Sequence, residues 1–202
     1  FPPWHPAFVK AEDLSKIRQD ISKAKQLLKE EGYGPGDKKL KLQMLHGSGG
    51  AHVQRAVLIQ AQLKTVGIDL SISKSKMGAL LKKMYTGKYE LALWQMLGGP
   101  TISEFTWSMY HSGASNNPSN YNKKGGYQNP VAEKLLDELA KTNDPAFAKP
   151  SIIKLQKIIF DDVPVAFVNW RNHRTVRNPW VKNFKTGKLK GMEDLRKVWL
   201  DK

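Results

Sequence analysis

Twice in the N-terminal third of this chain an amphipathic run stops at a glycine, and alternating residues follow. Ile17, Ile21, Ala24 and Leu28 recur at helical spacing, which predicts a helix over residues 12–31 with Glu12 and Asp13 at its positive end. Gly32 is the expected stop, and Gly34-Pro35-Gly36 forbids continuation. Leu40, Leu42 and Met44 then alternate with Lys41 and Gln43, as a strand requires, until Gly47–Gly50 breaks the pattern. Val53, Ala56, Leu63 and Val66 mark a second helix over 52–66, closed by Gly67. Ile68, Leu70 and Ile72 form the next strand, residues 76–86 a short helix, and Tyr89–Trp94 a third strand apolar enough to be central. Strand–helix–strand–helix–strand at this spacing leaves a parallel or mixed α/β sheet flanked by helices.

Beyond the third strand the character changes. Residues 97–129 are rich in Gly, Ser, Asn and aromatics, with one short helical candidate at 102–110. Long irregular segments of this kind carry function more often than structure. Helices are predicted at 130–141 and 147–161, then a strand over Val163–Trp170, which His173–Arg177 extends or pairs with. The last twenty residues are basic and weakly patterned, and no internal repeat is present.

Composition narrows the function classes. The absence of cysteine among the 202 residues excludes disulfides, thiolate nucleophiles and Cys-ligated metals. No apolar run approaches the 18 residues of a membrane span. No secretory leader pattern stands at Phe1, which suggests a trimmed product or a fragment. The net charge is +15, with lysines grouped at Lys38-Lys39, Lys74/Lys76, Lys82-Lys83 and Lys185/Lys188/Lys190. A solvated lysine-rich surface accounts for this. The alternative is a basic nucleic-acid-binding α/β domain, but no helix concentrates Lys and Arg, no recognition signature appears, and no nucleic-acid partner is expected.

Several short motifs carry a more specific message. Ser22–Tyr33, with its Leu27-Leu28 and Gly32-Tyr33, Ile59–Ile68, the strand ending in Trp94, Asn120-Tyr121 followed by Tyr127-Gln128-Asn129-Pro130 and Leu135-Leu136, and Asp162-Val163-Pro164 occur in a fixed order over much of the chain. Together they resemble the family 5 extracellular solute-binding proteins, the dipeptide-, oligopeptide- and nickel-binding receptors of ABC importers. The resemblance implies the C-terminal part of such a receptor, one lobe of a type II periplasmic-binding-protein-like fold. Residues 1–11 would then connect the lobes, 12–178 form the lobe, and 179–202 return to an N-terminal lobe absent from this chain. It further implies a periplasmic or membrane-anchored extracellular location, ABC membrane subunits as partners, solute binding without chemistry, and no cofactor.

In an open α/β sheet the ligand crevice lies beyond the carboxyl ends of the strands. That rule selects His46 with the Gly47–Gly50 turn, the run Trp94, Gln95, Met96 and Leu97, and Asn169 with Trp170. The irregular segment adds Asn116, Asn120, Tyr121 and Tyr127. Trp94 is equally suited to stacking on a ligand and to a core position, and Trp170 is balanced in the same way. Asn117 and Asn129 read as turn residues. Arg55 could face a carboxylate, but an exposed helix face explains it as well. His5, His46, His52, His111 and His173 show no metal-ligand spacing. No Gly-x-Ser-x-Gly or placed carboxylate pair supports an enzyme. Peptide-binding relatives usually carry an Asp a few residues after the strand tryptophan, where it holds the ligand's free amine. Here the stretch is Trp94-Gln95-Met96-Leu97-Gly98-Gly99-Pro100, without an acid. That weakens the expectation of peptide-amine binding, and a sugar, a modified peptide or an opine-like solute fits as well as a peptide.

Overall fold

The computed structural model describes residues 7–10, 13, 19–34, 38–95, 102–114, 117, 126–142, 144–169, 175–186 and 193–201, with 102–105 described as backbone. Two compact units divide at Val165, the second running from Ala166 to Lys202.

The first helix whose bounds lie among the described residues, α1 (Ile21–Glu30), begins later than its apolar spacing predicts. Asp20 is extended, at φ −140°, and its carboxylate accepts the Lys23 N–H at 2.8 Å. A capped start at Asp20 is incompatible with one continuous helix over 12–31. The other end follows the sequence closely. Gly32 takes φ +77°, its N–H reaches Lys29 O at 3.0 Å, and the Tyr33 N–H reaches Leu28 O at 2.8 Å. This reciprocal pair satisfies carbonyls that the helix end would otherwise strand. The same pair of bonds closes α2 (Gly50–Thr65) at Gly67 and α3 (Met77–Tyr85) at Gly87.

Between these helices lie three parallel strands, β1 (Lys41–Gly47), β2 (Asp69–Ser75) and β3 (Leu91–Leu93), in the spatial order β2-β1-β3. β1, not β3, is therefore central. β1 pairs along its whole length with β2, from Lys41 opposite Asp69 to Gly47 opposite Ser75, whereas β3 matches only Met44, Leu45 and His46. The chain steps sideways through α2 and returns past β1 through α3, so the two helices cover opposite faces. Side-chain alternation along β1 serves both. Met44 packs with Ala56, Leu70 and Leu93 on the α2 side, and Leu45 with Leu80 and Met84 on the α3 side.

A second core is helical. It joins α4 (Ile102–Tyr110), α5 (Pro130–Lys141) and α6 (Pro145–Asp162) around Tyr110, Leu136, Leu139, Ile152 and Leu155. Asn129 caps α5, its side-chain oxygen accepting the Val131 and Ala132 N–H groups, as its turn chemistry predicts. Gln156 is buried on α6 and donates to Ala7 O at 2.8 Å, which holds Ala7 against this core.

The expected strand over 163–170 does not form among the described residues 163–169. Helix α6 runs on to Asp162, Val163 turns left-handed at φ +49°, and Pro164 follows, with no N–H to give to a ladder. In the C-terminal unit a two-residue hairpin, β4 (Val181–Lys182) with β5 (Trp199–Leu200), is tied by Lys182 and Asp201 at 3.4 Å. None of its described residues is buried.

Replacing Leu136, which is 1% exposed, by Ala is expected to lower unfolding stability by about 2–5 kcal/mol. Val57→Ser, at a half-exposed position, should change it by less than about 0.5 kcal/mol, as urea titration would measure. A pH effect follows from Asp137. The Trp107 indole N–H donates to it at 3.1 Å, and with His111 and Lys141 nearby its carboxyl is held below the ordinary carboxylate value. A depressed folded-state value gives stability that is present above the ordinary carboxylate range and lost as pH falls through it. Asp137→Asn should flatten that part of the urea-midpoint profile below about pH 4. An unchanged profile would exclude Asp137 as its source.

Candidate functional site

The parallel sheet sends the carboxyl ends of its strands to one edge. β1 ends at His46-Gly47, opposite Lys74 and Ser75 of β2, and the last β3 pair is His46 with Leu93. Trp94 and Gln95 are the residues that leave β3 at this edge. The turn Gly47–Gly50 leaves β1 here and becomes α2, whose start has no side-chain cap and no acid in its first turn. Such a helix start offers backbone N–H groups to a carboxylate or carbonyl oxygen.

A Cβ on Gly49 would stand 3.5 Å from the His52 ring, and one on Gly47 would meet His52 at 3.7 Å and Leu80 at 3.9 Å. These are ordinary contacts, so the turn is closely lined by side chains without being sealed. His46 is buried, and its Nδ1 lies 2.8 Å from Gly47 O. A carbonyl can only accept, so Nδ1 carries the proton and the ring braces the start of the turn. Trp94 is half-buried and packs against the Leu45, Leu80 and Met84 cluster, so its ring serves the core on at least one side. Gln95 is half-buried beside it, and Arg55 is half-buried on α2.

Two other candidates have different settings. The Tyr127 hydroxyl donates to Asp162 at 2.7 Å, and its ring stands edge-on to Tyr110 at 6.4 Å. Burial, then the Asp162 hydrogen bond, holds this phenol protonated well above its ordinary range. Asn129 donates to the same carboxylate at 2.7 Å, so the group ties the start of α5 to the end of α6. Asn169 is exposed and belongs to the C-terminal unit. Met96, Leu97, Asn116, Asn120, Tyr121 and Trp170 lie outside the described residues. Asn117 is buried and donates to His111 O at 2.8 Å, in keeping with a turn role.

Sequence reasoning missed two features. Ser75 ends β2 in register with Gly47, because the strand continues past its apolar residues through Ser-Lys-Ser, where no pattern marks it. Trp107, His111 and Asp137 form the other. The indole and imidazole stack at 4.5 Å, and His111 Nε2 is 3.3 Å from the Asp137 carboxylate that Trp107 also engages. The i, i+4 spacing of Trp107 and His111 was the available signal. His111 Nδ1 accepts the Gly113 N–H at 2.9 Å, so both ring nitrogens are engaged in structure. Among the described residues no group of His, Asp and Glu could hold a metal ion.

Residues 1–117 match the family model of bacterial extracellular solute-binding proteins, family 5 Middle. The oligopeptide-binding protein AppA of Bacillus subtilis is 24% identical over 94% of this chain, which spans 36% of that relative's length. In the structure of the same B. subtilis AppA in complex with a nonapeptide, the likeness covers 100% of this chain and 41% of that one, at TM-score 0.79 and 22% identity. The periplasmic binding protein DppA of Helicobacter pylori, in complex with the peptide STSA, matches over 81% of this chain and 31% of its own, at TM-score 0.65 and 26% identity. The chain thus spans about a third of the length of the relatives it matches. With the family model covering more than half of the sequence and a parallel α/β sheet of periplasmic-binding-protein type, the chain belongs to the family 5 bacterial extracellular solute-binding proteins.

Proposed function

We propose that this chain is the C-terminal part of a peptide receptor for an ABC-type importer, working outside the cytoplasm, and that it binds its solute without chemistry. The observation that carries the reading is the shared edge of β1, β2 and β3, where the uncapped glycine turn, Ser75 and Gln95 offer neutral hydrogen-bond partners beside the Trp94 ring. Relatives of this chain bind peptides, which favours a peptide over a sugar or an opine-like solute. Residues 12–178 would form one lobe of a clamp, and 179–202 would return to the other. An unburied C-terminal unit that exposes Trp199 and Leu200 supports a tail that completes its packing on a further part of the receptor.

The missing acid after Trp94 sets the mode of binding. A receptor that holds the free α-amine with a carboxylate gains a charge-assisted bond that acetylation destroys. Backbone N–H groups and neutral side chains make no such demand. The proposed contacts are therefore with the peptide's main chain and carboxylate, from the Gly47–Gly50 turn, Ser75 and Gln95, with Trp94 against an apolar side chain. Of the other candidates, Tyr127 and Asn169 would contribute only where the closing lobe brings solute to them.

Two calorimetric measurements test this. In the receptor that contains this chain, N-acetylation of a bound peptide should weaken binding by less than about threefold, against a loss of tenfold or more for an amine clamp. In the 202-residue chain alone, the same peptide should bind at least about a hundredfold more weakly, because half of the enclosing surface is absent. Full-strength binding by the chain alone would overturn the clamp. Loss of binding on acetylation would overturn the neutral mode and leave the peptide assignment intact.

A further inference from the structure

The strand that carries Trp94 and Gln95 to the candidate site has little ladder of its own. β3 meets β1 at three pairs, Met44 with Leu91, Leu45 with Ala92 and His46 with Leu93. Its side chains settle which face each residue takes. Leu91 and Leu93 join Met44, Ala56 and Leu70 on the α2 side, and Ala92 and Trp94 join Leu45, Leu80 and Met84 on the α3 side. That pattern repeats every second residue, so alternation excludes a slip of one residue and is blind to a slip of two. A slip of two would carry Trp94 and Gln95 about 6–7 Å along the sheet. Something besides alternation has to hold the strand in place.

The chain bends at Glu90, and the ladder begins one residue later at Leu91. Where a longer strand would continue with its backbone, the Glu90 carboxylate accepts the Gln43 N–H of β1. A carboxylate makes this a charge-assisted bond, stronger than a bond between two neutral groups. Glu90 is the one acid between Leu70 and Pro100, with Lys82, Lys83 and Lys88 close by in sequence. Among the described residues no ion pair joins it to any of them, and its carboxylate goes to the β1 backbone instead. A slip of two residues would take the carboxylate away from Gln43, and without the bond three pairs alone hold β3 against fraying. We propose that Glu90 is a positioning residue for the candidate site, anchoring β3 on β1 and so holding Trp94 and Gln95 at the strand ends. It stands at the start of β3, away from the edge where solute would sit, and acts through the strand. This role rests on the reading of that edge as the peptide site.

The test labels the 202-residue chain with 5-fluorotryptophan and follows the Trp94 fluorine resonance, assigned with Trp94→Phe. Glu90→Ala should shift or split that resonance and leave those of the other tryptophans in place, which separates a moved strand from a misfolded chain. Glu90→Gln removes the same charge but keeps an acceptor oxygen at the same reach, so it should retain the resonance of the unaltered chain. In the receptor that contains this chain, calorimetry should find a bound peptide at least about tenfold weaker with Glu90→Ala, and within about threefold of the unaltered receptor with Glu90→Gln. An unmoved Trp94 resonance in Glu90→Ala would overturn the anchor. A moved resonance with unchanged peptide affinity would overturn the positioning role, and equal effects of Ala and Gln would assign the effect to charge and overturn the bond. An unaltered receptor that binds no peptide would instead overturn the peptide reading, and the fluorine resonance would then decide the anchor by itself.

Discussion

The parallel ladder of β1 is the constraint on which the rest depends. This strand is paired with β2 along its length and with β3 at Met44, Leu45 and His46, and its side chains must serve two cores at once. Met44 and Leu45 are adjacent in sequence, point to opposite faces, and are 3% and 1% exposed. A slip of one residue would exchange the two faces and separate each side chain from the helix built to receive it. The same register sets Gly47 against Ser75 and His46 against Leu93, so the alignment that builds the cores also aligns the strand ends at the candidate site. Chemistry at that edge inherits its geometry from packing several residues away.

Much of this was legible because helix ends and strand alternation are local. Gly32, Gly67 and Gly87 each stand where a left-handed residue lets two N–H groups return to the helix, and each stop is visible in the sequence. Asn129 before Pro130 gives away the start of α5 in the same manner. Features that depend on three-dimensional competition are not legible in the same way. The apolar run Tyr89–Trp94 reads as central, yet β1 takes that place by pairing over seven residues against three. Asp20 breaks a helix that hydrophobic spacing alone would carry through, because spacing says nothing of a carboxylate returning to Lys23 N–H. Ala166–Asn169 has strand-like composition and no ladder among the described residues, since a strand exists only with a neighbour.

At the candidate site the sequence is silent about competition for the same groups. Trp94 could stack or pack, and its neighbours Leu45, Leu80 and Met84 draw one side of it into the core. Tyr127 has the right chemistry for a ligand, but its hydroxyl is committed to Asp162 and its edge to Tyr110. Breaking that hydrogen bond for a ligand would leave a carboxylate with one neutral partner fewer, a cost that solute binding must offset. Gln95 and the uncapped start of α2 face no such exchange among the described contacts, which is why the proposed peptide contacts rest on them.

The missing acid after Trp94 and the acid-free surface of α3 belong to one stretch of chain. From Leu70 to Pro100 only Glu90 is acidic, and its carboxylate accepts the Gln43 N–H in β1. A free carboxylate near the strand ends would attract the lysines of this region and compete with them for any anionic group. Its absence therefore has two consequences with one electrostatic origin. Under the proposed binding mode the strand ends read main-chain polarity instead of an amine, and among the described residues the lysines of α3 have no ion pair. Charge depletion from Leu70 to Pro100 thus spans both α3 and the residues that leave β3 at the candidate site.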